Sequence, residues 1–478
     1  MEDSETYLMS PCIRREIERL LMDNNFSALT AISPIDGRYR PRVAVLADYF
    51  SEQALIKYRL EVEINYFIYL SKIGIIKKIP PEKKRKLLEI ITKFSNKDAV
   101  KIKKIEETIN HDAKAVEYFL RKKINQLTLP TEYLHFALTT YDIDTTAYSL
   151  AIKRSRDNII LPSLKLLIRE IKQMAELYKG KPMLGRTHGQ PAVPTTMGKE
   201  LMVFAIRLFR EYQELKSIII EAKLNGAVGN YNAHFAAFPN VNWLKFSADF
   251  IDSLGLKPNL FTTQIMPYDS FIKIFQSLFL INQVLIGFNQ DLWRYISDDY
   301  FLQKIEEKQV GSSTMPQKVN PIDLENSEGN LGIANSLLGF LIQKLAISRL
   351  QRDLSDKTVK RNIGMAFAYS LLGYQSTLKG LNKLSLNEKF LKEELLEHWE
   401  IITEGIQTIL KTGGDIQAYE KLKEFSQGKK LDQNQIKNFV EDLKVNPKTK
   451  KQLLNLTPLN YLGLAEKLVD EGIKIIKF

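Results

Sequence analysis

The sequence predicts an all-α protein with three helical domains, and three observations carry this prediction. Only 17 prolines and 23 glycines occur in 478 residues, and they cluster, so long stretches contain no helix breaker. Segments such as 200–223 repeat apolar residues at i, i+3 and i+4 spacing, the period of an amphipathic helix. Runs of alternating apolar and polar residues, which are typical of strands, are scarce, so no sheet of consequence is expected.

The chain divides into four segments, whose boundaries follow changes in composition and turn residues. Pro130, with Thr131 as an N-cap, separates a Lys-rich part from the long helices, and three turn sequences punctuate the last part. The predicted segments are an N-terminal extension (1–26), an N-terminal helical domain (27–130), a central long-helix bundle (131–383) with a polar loop at 311–330, and a small C-terminal helical domain (384–478).

The central helices are apolar over more than one face, as in 270–297 and 327–349. Such breadth suggests a bundle in which each helix packs against several neighbours, some of them supplied by other subunits. The most membrane-like window, 271–288, is interrupted by Lys273 and Asn282, among other polar residues, where a span would be nearly free of them. We interpret it as a buried helix and expect no membrane partner.

The composition restricts the possible functions less strongly than it restricts the possible folds. With 68 Lys+Arg against 56 Asp+Glu, the net charge of +12 fits either an affinity for polyanions or a solvated lysine surface. Helical spacing of the lysines with Glu and apolar residues in 77–88 and 96–107 favours the surface. The single cysteine, Cys12, excludes an intramolecular disulfide and a Cys-based metal site within one chain. A reducing, cytoplasmic location fits, and the acidic N-terminus carries no secretory signal.

One polar segment, 311–330, separates two long apolar stretches and reads GSSTMPQKVNPIDLENSEGN. It combines hydroxyls, a cation, amides and carboxylates with few apolar residues, and it is longer than a usual linker. Ser, Thr, Gly and Pro are also ordinary loop formers. A loop of this composition can close over a substrate and carry a hydroxyl to it, which is the interpretation we favour.

Two of the five histidines lie among polar partners and suit acid–base chemistry near neutral pH. His188 is in the irregular stretch GRTHGQPAVPTT, and His111 is in TINHDAKAVEYFL. His135 and His398 lie in helical patterns beside aromatic residues and are interpreted as structural, while His234 stays undecided. The sequence contains no phosphate loop, GxGxxG or HExxH, so we expect catalysis by side-chain acids and bases without metal or organic cofactor.

The segment 311–330 closely resembles the signature loop of the fumarase/aspartase superfamily, whose members eliminate fumarate from substituted succinates. Six further segments follow the order found in adenylosuccinate lyases of the bacterial type. They are SPIDGRY (33–39), TINHDAKAVEYFL (108–120), GRTHGQPAVPTTMGKE (185–200), NGAVGNYNAH (225–234), TTQIMP (262–267) and SRLQRDLSD (348–356). The resemblance extends from about Leu29 to the end of the chain.

The resemblance implies a carbon–nitrogen lyase that splits adenylosuccinate into AMP and fumarate, and SAICAR into AICAR and fumarate, in purine biosynthesis. Removing a proton from carbon beside a carboxylate makes a dianion, so the site needs a base, fixed positive charge and hydrogen-bond donors. An acid must protonate the departing nitrogen. The resemblance assigns the base to Ser312 and the acid to His188, and it places Lys318 and Asn320 on the carboxylate whose charge grows.

The resemblance also implies substrate contacts and partners. Those on the nucleotide are Arg38, Tyr39, Asn110, His111 and Asp112, with His111 near the phosphate. Those on the succinyl end are Thr139, Thr140 and Gln264, while Arg352 and Arg361 complete the anion site and Asn326 and Lys357 are further contacts. Members of the family are homotetramers whose active sites combine segments of three subunits, so we expect further copies of this chain as partners.

Four positions depart from the usual pattern of the family. Gln317 replaces a frequent His, Tyr141 and Asp144 replace Glu and Asn, and Lys357 replaces Ser. Asp144 adds a negative charge near an anionic substrate. Lys357 either reinforces the phosphate site or points to solvent.

Two other hypotheses remain open at this point. Another fumarate-forming lyase, acting on argininosuccinate or aspartate, would not need phosphate-binding residues at Arg38, His111 and Arg352. A basic helical scaffold for RNA would need exposed aromatic and arginine stacking platforms, whereas the aromatic residues here follow core periodicity. Nucleic acid is therefore not an expected partner.

Overall fold

A computed structural model describes residues 27–304, 314–315 and 317–478. The prediction for the extension 1–26 lies outside the described residues. The chain forms two compact units, Met1–Val45 and Leu46–Phe478. The first unit is described from Ser27 onward and contains a series of turns and one short helix, α1 (Arg40–Val43).

Helices dominate the second unit, and the all-α prediction is confirmed. In its first part they are α2 (Ala47–Phe50), α3 (Glu52–Lys72), α4 (Pro81–Thr92), α5 (Asn96–Ile109) and α6 (Asp112–Gln126). The middle part contains α7 (Thr140–Ser155), α8 (Leu161–Leu177), α9 (Met197–Ser217), α10 (Asn232–Ala237), α11 (Trp243–Ser253), α12 (Asp269–Ser297), α13 (Ile322–Leu345), α14 (Ser355–Lys360) and α15 (Ile363–Leu381). The last part contains α16 (Glu388–Leu396), α17 (Thr403–Thr412), α18 (Ala418–Ser426), α19 (Gln433–Asp442), α20 (Pro447–Leu454) and α21 (Ala465–Ile475).

Shorter segments connect these helices. A π-helical stretch, Arg156–Ile160, joins α7 to α8, and 3-10 turns occur at Ala44–Leu46, Thr131–Tyr133 and Trp399–Ile402. The boundaries predicted at 130 and 383 stay predictions.

Strands are few and short in the described residues, where they form three two-stranded sheets. These pair β1 (Pro182–Thr187) with β2 (Gln190–Thr196) antiparallel, β3 (Glu221–Ala222) with β4 (Lys257–Pro258) parallel, and β5 (Phe301–Gln303) with β6 (Leu384–Leu386) antiparallel. The prediction of an irregular stretch around His188 was wrong, because this stretch is the β1–β2 hairpin. β2 contains Pro191 and Pro194, and proline is tolerated in edge strands.

The longest helices pack side by side to form the core of the second unit. α12, α13 and α15 pack against one another, and α8 pairs with α9. Fully buried side chains such as Phe275, Leu338 and Phe367 fill the space between them. A buried polar contact also crosses this core, since Asn282 donates to Asn335 at 3.0 Å and accepts from Tyr374 at 2.8 Å. Such paired amides fix the relative positions of helices without leaving polar groups unsatisfied.

By length and hydropathy, α12 is the single described helix that is apolar enough to cross a membrane. Half of its most apolar window is buried in the protein. Phe271, Ile274 and Phe275 lie in the core, as predicted for 271–288. A core helix passes the same test of length and composition, so this helix is weak evidence for a membrane span.

The close approach of α9 to the end of α8 at Gly198 generates a testable prediction about packing. A Cβ atom at Gly198 would lie 2.4 Å from the carbonyl oxygen of Ala175 and 2.6 Å from the backbone of Lys179. We expect Gly198→Ala to lower the free energy of unfolding by about 1–3 kcal/mol, because α9 must move away from the end of α8. Urea denaturation followed by circular dichroism measures this change.

The matched control is Gly180→Ala, where a Cβ atom would lie 3.5 Å from the carboxylate of Glu466, an ordinary contact. It should leave the midpoint of unfolding nearly unchanged. Equal midpoints for the two variants would contradict the close packing at Gly198.

Candidate active site

The predicted nucleotide contacts Arg38 and Tyr39 follow a tight turn in the first unit. The N–H of Gly37 donates to the carbonyl oxygen of Ser33 at 2.9 Å. A Cβ atom at Gly37 would lie 2.8 Å from the carbonyl oxygen of Ala28, so the turn requires glycine. Arg38 is exposed and Tyr39 half-buried, directly before α1.

The Asn110–Asp112 motif lies at the junction of α5 and α6. Asn110 adopts a left-handed conformation with φ of 51°, which Asn tolerates better than most residues, and so ends α5. His111 is the N-cap of α6, and its Nδ1 accepts the backbone N–H of Lys114 at 3.1 Å. The side chain of His111 is 51% exposed, whereas that of Asp112 is buried. The chain reversal thus presents the imidazole to solvent and turns the carboxylate inward.

Asp112 lies in a buried network of charges. It accepts hydrogen bonds from Arg59 at 2.9 Å and Lys357 at 2.7 Å, and Arg361 Nη2 lies 3.7 Å from it. Arg59 is 1% exposed and also donates to Asp144 at 2.6 Å. Burial opposes the ionisation of Asp112, but the charge of Arg59 and the hydrogen bond from Lys357 hold its pKa well below its usual value. Arg59, Lys357 and Arg361 carry three positive charges, whereas the two carboxylates of this network carry two negative charges. One positive charge is therefore left over for an anionic ligand.

This network also locates two of the departures from the family pattern. The side chain of Asp144 is 3% exposed and paired with Arg59, so its negative charge is not presented unpaired to an anion. Lys357 does not simply point to solvent, because its ammonium group contacts Asp112 and its side chain is 22% exposed. Both residues are therefore part of the charge cluster.

Arg352 and Gln264, predicted from separate motifs, lie together. Arg352 Nη1 donates to Gln264 Oε1 at 3.0 Å. The backbone N–H of Gln264 donates to the carbonyl oxygen of Gln351 at 3.2 Å, which joins the two segments. The guanidinium carbon of Arg352 lies 4.2 Å from the centroid of the Tyr141 ring, a cation–π distance.

The first turns of α7 connect these groups. Tyr141 contacts Arg352, and Asp144, three residues later, contacts Arg59. The half-buried Thr139 and Thr140 begin the same helix, with Thr139 as its N-cap. The structure thus brings the predicted residues Thr139, Thr140, Gln264 and Arg352 into one region, and Asp112, Lys357 and Arg361 into the adjoining charge network.

A second buried ion pair holds the start of α7. The carboxylate of Asp142 accepts the N–H groups of Thr139 at 2.8 Å and Asn225 at 3.0 Å. Lys223 Nζ lies 3.2 Å from Asp142 and donates to the carbonyl oxygen of Gln264 at 2.8 Å. Burial lowers the pKa of Lys223. One lysine therefore fixes the helix start and the Gln264 segment relative to each other.

His188 lies at the tip of the β1–β2 hairpin. His188 and Gly189 both have positive φ, 53° and 76°, as the two central residues of tight hairpin turns often do. Arg186, on β1, donates to Glu394 at 2.5 Å, and Tyr300 donates to the other oxygen of that carboxylate at 2.5 Å. The hairpin is thereby attached to α16, and the His188 side chain is exposed.

The hairpin tip makes no described contact with the charge network of Asp112. In the part of the chain that the structure describes, no hydrogen bond, ion pair or ring contact joins His188 to Asp112 or Arg352. A single copy of the chain therefore does not bring the predicted acid to the predicted anion-binding residues through a direct contact.

The signature loop is described in part. The predicted base, Ser312, lies outside the described residues. Lys318 is exposed, and its backbone N–H donates to Met315 at 3.2 Å, while Asn320 is half-buried. Asn326 is exposed on α13, where its carbonyl oxygen accepts from Asn330 at 2.7 Å.

Sequence patterns missed several buried charged residues of this region. They are Arg59, Asp142, Lys223, Asp356 and Lys360, each buried in the second unit. The available signal was a charged residue on the apolar face of a helix, as Arg59 is in α3, because such residues are rarely buried unless paired. Among the residues described, no group of three or more His, Cys, Asp or Glu side chains is placed to hold a metal ion.

The remaining histidines have structural contacts. Burial lowers the pKa of His234 to about 4, and its ring lies 4.8 Å from that of Trp243. His135 contacts Glu63 at 2.5 Å, and His398 contacts Glu400 at 2.6 Å. Neither of these two lies in an α-helix as the pattern suggested, since His135 has φ of 56° in a turn and His398 precedes a 3-10 turn.

Comparisons with known proteins agree with this organisation. Residues 37–334 match the family model described as Lyase, and 348–462 match the one described as Adenylosuccinate lyase C-terminal. The adenylosuccinate lyase of Buchnera aphidicola subsp. Acyrthosiphon pisum is 48% identical over 452 residues, covering 93% of this chain and 99% of that protein. The adenylosuccinate lyase of Escherichia coli K12 is 47% identical over 451 residues, with the same coverage.

Solved structures support the fold. The crystal structure of fumarate lyase from Mesorhizobium sp. BNC1 has a TM-score of 0.74 at 18% identity, covering 91% of this chain and 98% of that one. The 3-carboxy-cis,cis-muconate lactonizing enzyme from Pseudomonas putida has a TM-score of 0.71 at 18% identity, covering 90% and 96%. Because the sequence matches span nearly the whole chain at almost half identity, the chain belongs to the adenylosuccinate lyase family, within the fumarase/aspartase superfamily.

Proposed function

We propose that the chain eliminates fumarate from adenylosuccinate to give AMP, and from SAICAR to give AICAR, as a step of purine biosynthesis. The observation that carries this proposal is the cluster of cations around α7, formed by Arg59, Arg352, Lys357 and Arg361. A substrate with one phosphate and two carboxylates needs such a cluster. The relatives named adenylosuccinate lyase support the same substrate.

The proposed reaction breaks one carbon–nitrogen bond. Ser312 removes the proton from the carbon beside a carboxylate, and Lys318 and Asn320 stabilise the negative charge that develops there. His188 donates a proton to the nitrogen as the bond to carbon breaks. A serine is a weak base at its ordinary pKa, so nearby positive charge must favour its ionised form.

The substrate contacts follow the same assignment. Arg38, Tyr39, Asn110 and His111 bind the nucleotide, with His111 at the phosphate, and the buried carboxylate of Asp112, expected from the resemblance to be a contact, instead holds Lys357. Thr139, Thr140 and Gln264 bind the succinyl group, and Arg352, Arg361, Lys357 and Asn326 complete the site. The half-exposed side chains of His111 and Arg361, adjacent to the buried network of Asp112, support the placement of the phosphate there.

We propose that the active enzyme is a homotetramer in which the His188 hairpin serves the charge cluster of another subunit. The lack of a described contact between these two groups supports sharing. So do large apolar side chains exposed on the core helices, such as Phe279 on α12 and Ile333 and Phe340 on α13. We place the enzyme in the cytoplasm, without nucleic-acid or membrane partners.

A substrate comparison tests the proposed function. Purified protein should release AMP and fumarate from adenylosuccinate, because the cationic cluster suits a phosphate, and should leave argininosuccinate and aspartate unchanged. Absorbance assays with the three compounds measure this. Release of fumarate from argininosuccinate or aspartate without AMP formation from adenylosuccinate would contradict the proposal.

Replacement of the two proposed proton-transfer residues tests the mechanism. Ser312→Ala and His188→Asn should each lower kcat by about 10²–10⁴-fold while circular dichroism stays unchanged. Asn is chosen at 188 because it tolerates positive φ, so the hairpin turn is preserved. The matched control is Ser313→Ala, which should retain activity. Full activity of Ser312→Ala, or loss of activity in Ser313→Ala alone, would refute the assignment of the base.

Subunit mixing tests the shared site. Ser312→Ala and His188→Asn proteins, each inactive, should regain activity after subunit exchange, because a mixed assembly contains sites with both residues intact. Activity assays before and after exchange measure the gain, and each variant carried alone through the same procedure is the control. Exchange demonstrated by mass spectrometry with no gain in activity would rule out sharing between subunits.

A further inference from the structure

A buried cluster beside Arg352 is not used by the proposed mechanism. It consists of Asp356, Lys360, Tyr268 and Tyr141. The carboxylate of Asp356 accepts from Tyr141 at 2.7 Å, from Tyr268 at 2.7 Å and from Lys360 at 2.9 Å. Lys360 also donates to the Tyr268 hydroxyl at 2.6 Å. Lys360 is 1% exposed and Asp356 6% exposed, so the cluster is closed to solvent.

The burial of the Asp356–Lys360 ion pair costs free energy, so the pair is a poor means of stabilising the fold alone. Burial lowers the pKa of Lys360 and opposes ionisation of Asp356, whose pKa nevertheless lies below its usual value because of the Lys360 charge and hydrogen bond. A buried ion pair often contributes no more than apolar side chains of similar volume would. What such a pair does supply is fixed geometry, because each partner has a single satisfied arrangement.

The group whose geometry it fixes is the Tyr141 ring. The Tyr141 hydroxyl is tied to Asp356, and Lys360 lies 4.7 Å from the ring centroid. The guanidinium of Arg352 lies 4.2 Å from the same centroid and donates one N–H to Gln264. The Tyr141 ring and the amide oxygen of Gln264 therefore orient Arg352. A guanidinium carries five N–H donors in all. Among the described residues, Gln264 is the one hydrogen-bond acceptor of this guanidinium, so its other N–H groups can meet an anion in a defined direction.

We infer that Tyr141, held by Asp356 and Lys360, is a positioning residue that orients Arg352 toward an anionic group of the substrate, an inference that rests on the proposed function. Tyr141 does not itself touch the substrate in this scheme. It acts through Arg352, so its loss should weaken substrate binding more than the chemical step.

Kinetics of Tyr141 variants test this role. Tyr141→Leu removes the ring and should raise KM for adenylosuccinate about tenfold, with kcat within about threefold. Tyr141→Phe keeps the stacking surface but loses the hydrogen bond to Asp356, so it should give a KM between those of Tyr141→Leu and the wild type. The matched control is Tyr374→Leu, which removes another fully buried tyrosine whose hydroxyl donates to Asn282. It should lower Tm but leave KM unchanged.

A double-mutant cycle with Arg352 separates positioning from general damage. Tyr141→Leu should lower kcat/KM about tenfold in the wild type and less than about threefold in the Arg352→Gln background, because the arginine it orients is already absent. Equal losses in both backgrounds, or an unchanged KM in Tyr141→Leu, would overturn the inference.

Calorimetry measures Kd values for AMP and fumarate and so keeps this test independent of turnover. For the product whose anionic group Arg352 contacts, Tyr141→Leu should raise Kd less in the Arg352→Gln background than in the wild type. Coupling in the Kd values without cleavage of adenylosuccinate by the wild type would count against the proposed function and support positioning. Turnover by the wild type without coupling would count against positioning and leave the proposed function intact.

Discussion

The candidate site depends on the buried ion pairs that the guanidinium of Arg59 forms with two carboxylates. Arg59 lies on α3 and donates to Asp112 at the start of α6 and to Asp144 on α7. Removing an ion of this kind from water costs several kcal/mol unless its partners are well placed. Loss of Arg59 would remove the hydrogen-bonded cation of the buried Asp144 and one of the cations that contact Asp112. Three helices are therefore held in register by the geometric demands of one side chain.

The same principle recurs along α7. Asp142 pairs with Lys223, Asp144 pairs with Arg59, and the Tyr141 hydroxyl reaches the Asp356–Lys360 pair. Each contact joins the first turns of α7 to a different part of the second unit. Buried charges thus fix the part of the second unit that carries the proposed anion-binding residues. The proposed acid, His188, lies instead on an exposed hairpin tip that is attached through the Arg186–Glu394 contact.

The helical class followed directly from the sequence because long periodic stretches without Gly or Pro have few alternatives. Some predicted contacts lie together, such as Gln264 and Arg352, which are 88 positions apart in the chain. No spacing rule joins residues at that separation, so this prediction came from motifs and their resemblance to a family. Arg59 and Lys360 were missed because a charged residue within a helix is usually solvated, and only tertiary structure supplies the carboxylates that make burial acceptable. The β1–β2 hairpin was also missed, although edge strands tolerate the two prolines of β2.

The way in which His111 caps α6 has a consequence for anion binding. Its Nδ1 accepts a backbone N–H, so the neutral ring carries its proton on Nε2, at the exposed edge. A histidine held in this way offers a hydrogen-bond donor to an anion without having to become cationic, and protonation of Nδ1 would break the cap. The positive charge nearby comes from Lys357 and Arg361, whose side chains lie close to the carboxylate of Asp112. A hydrogen-bond donor and positive charge are thus supplied by different side chains at this junction, which divides the proposed recognition of an anion between His111 and its cationic neighbours.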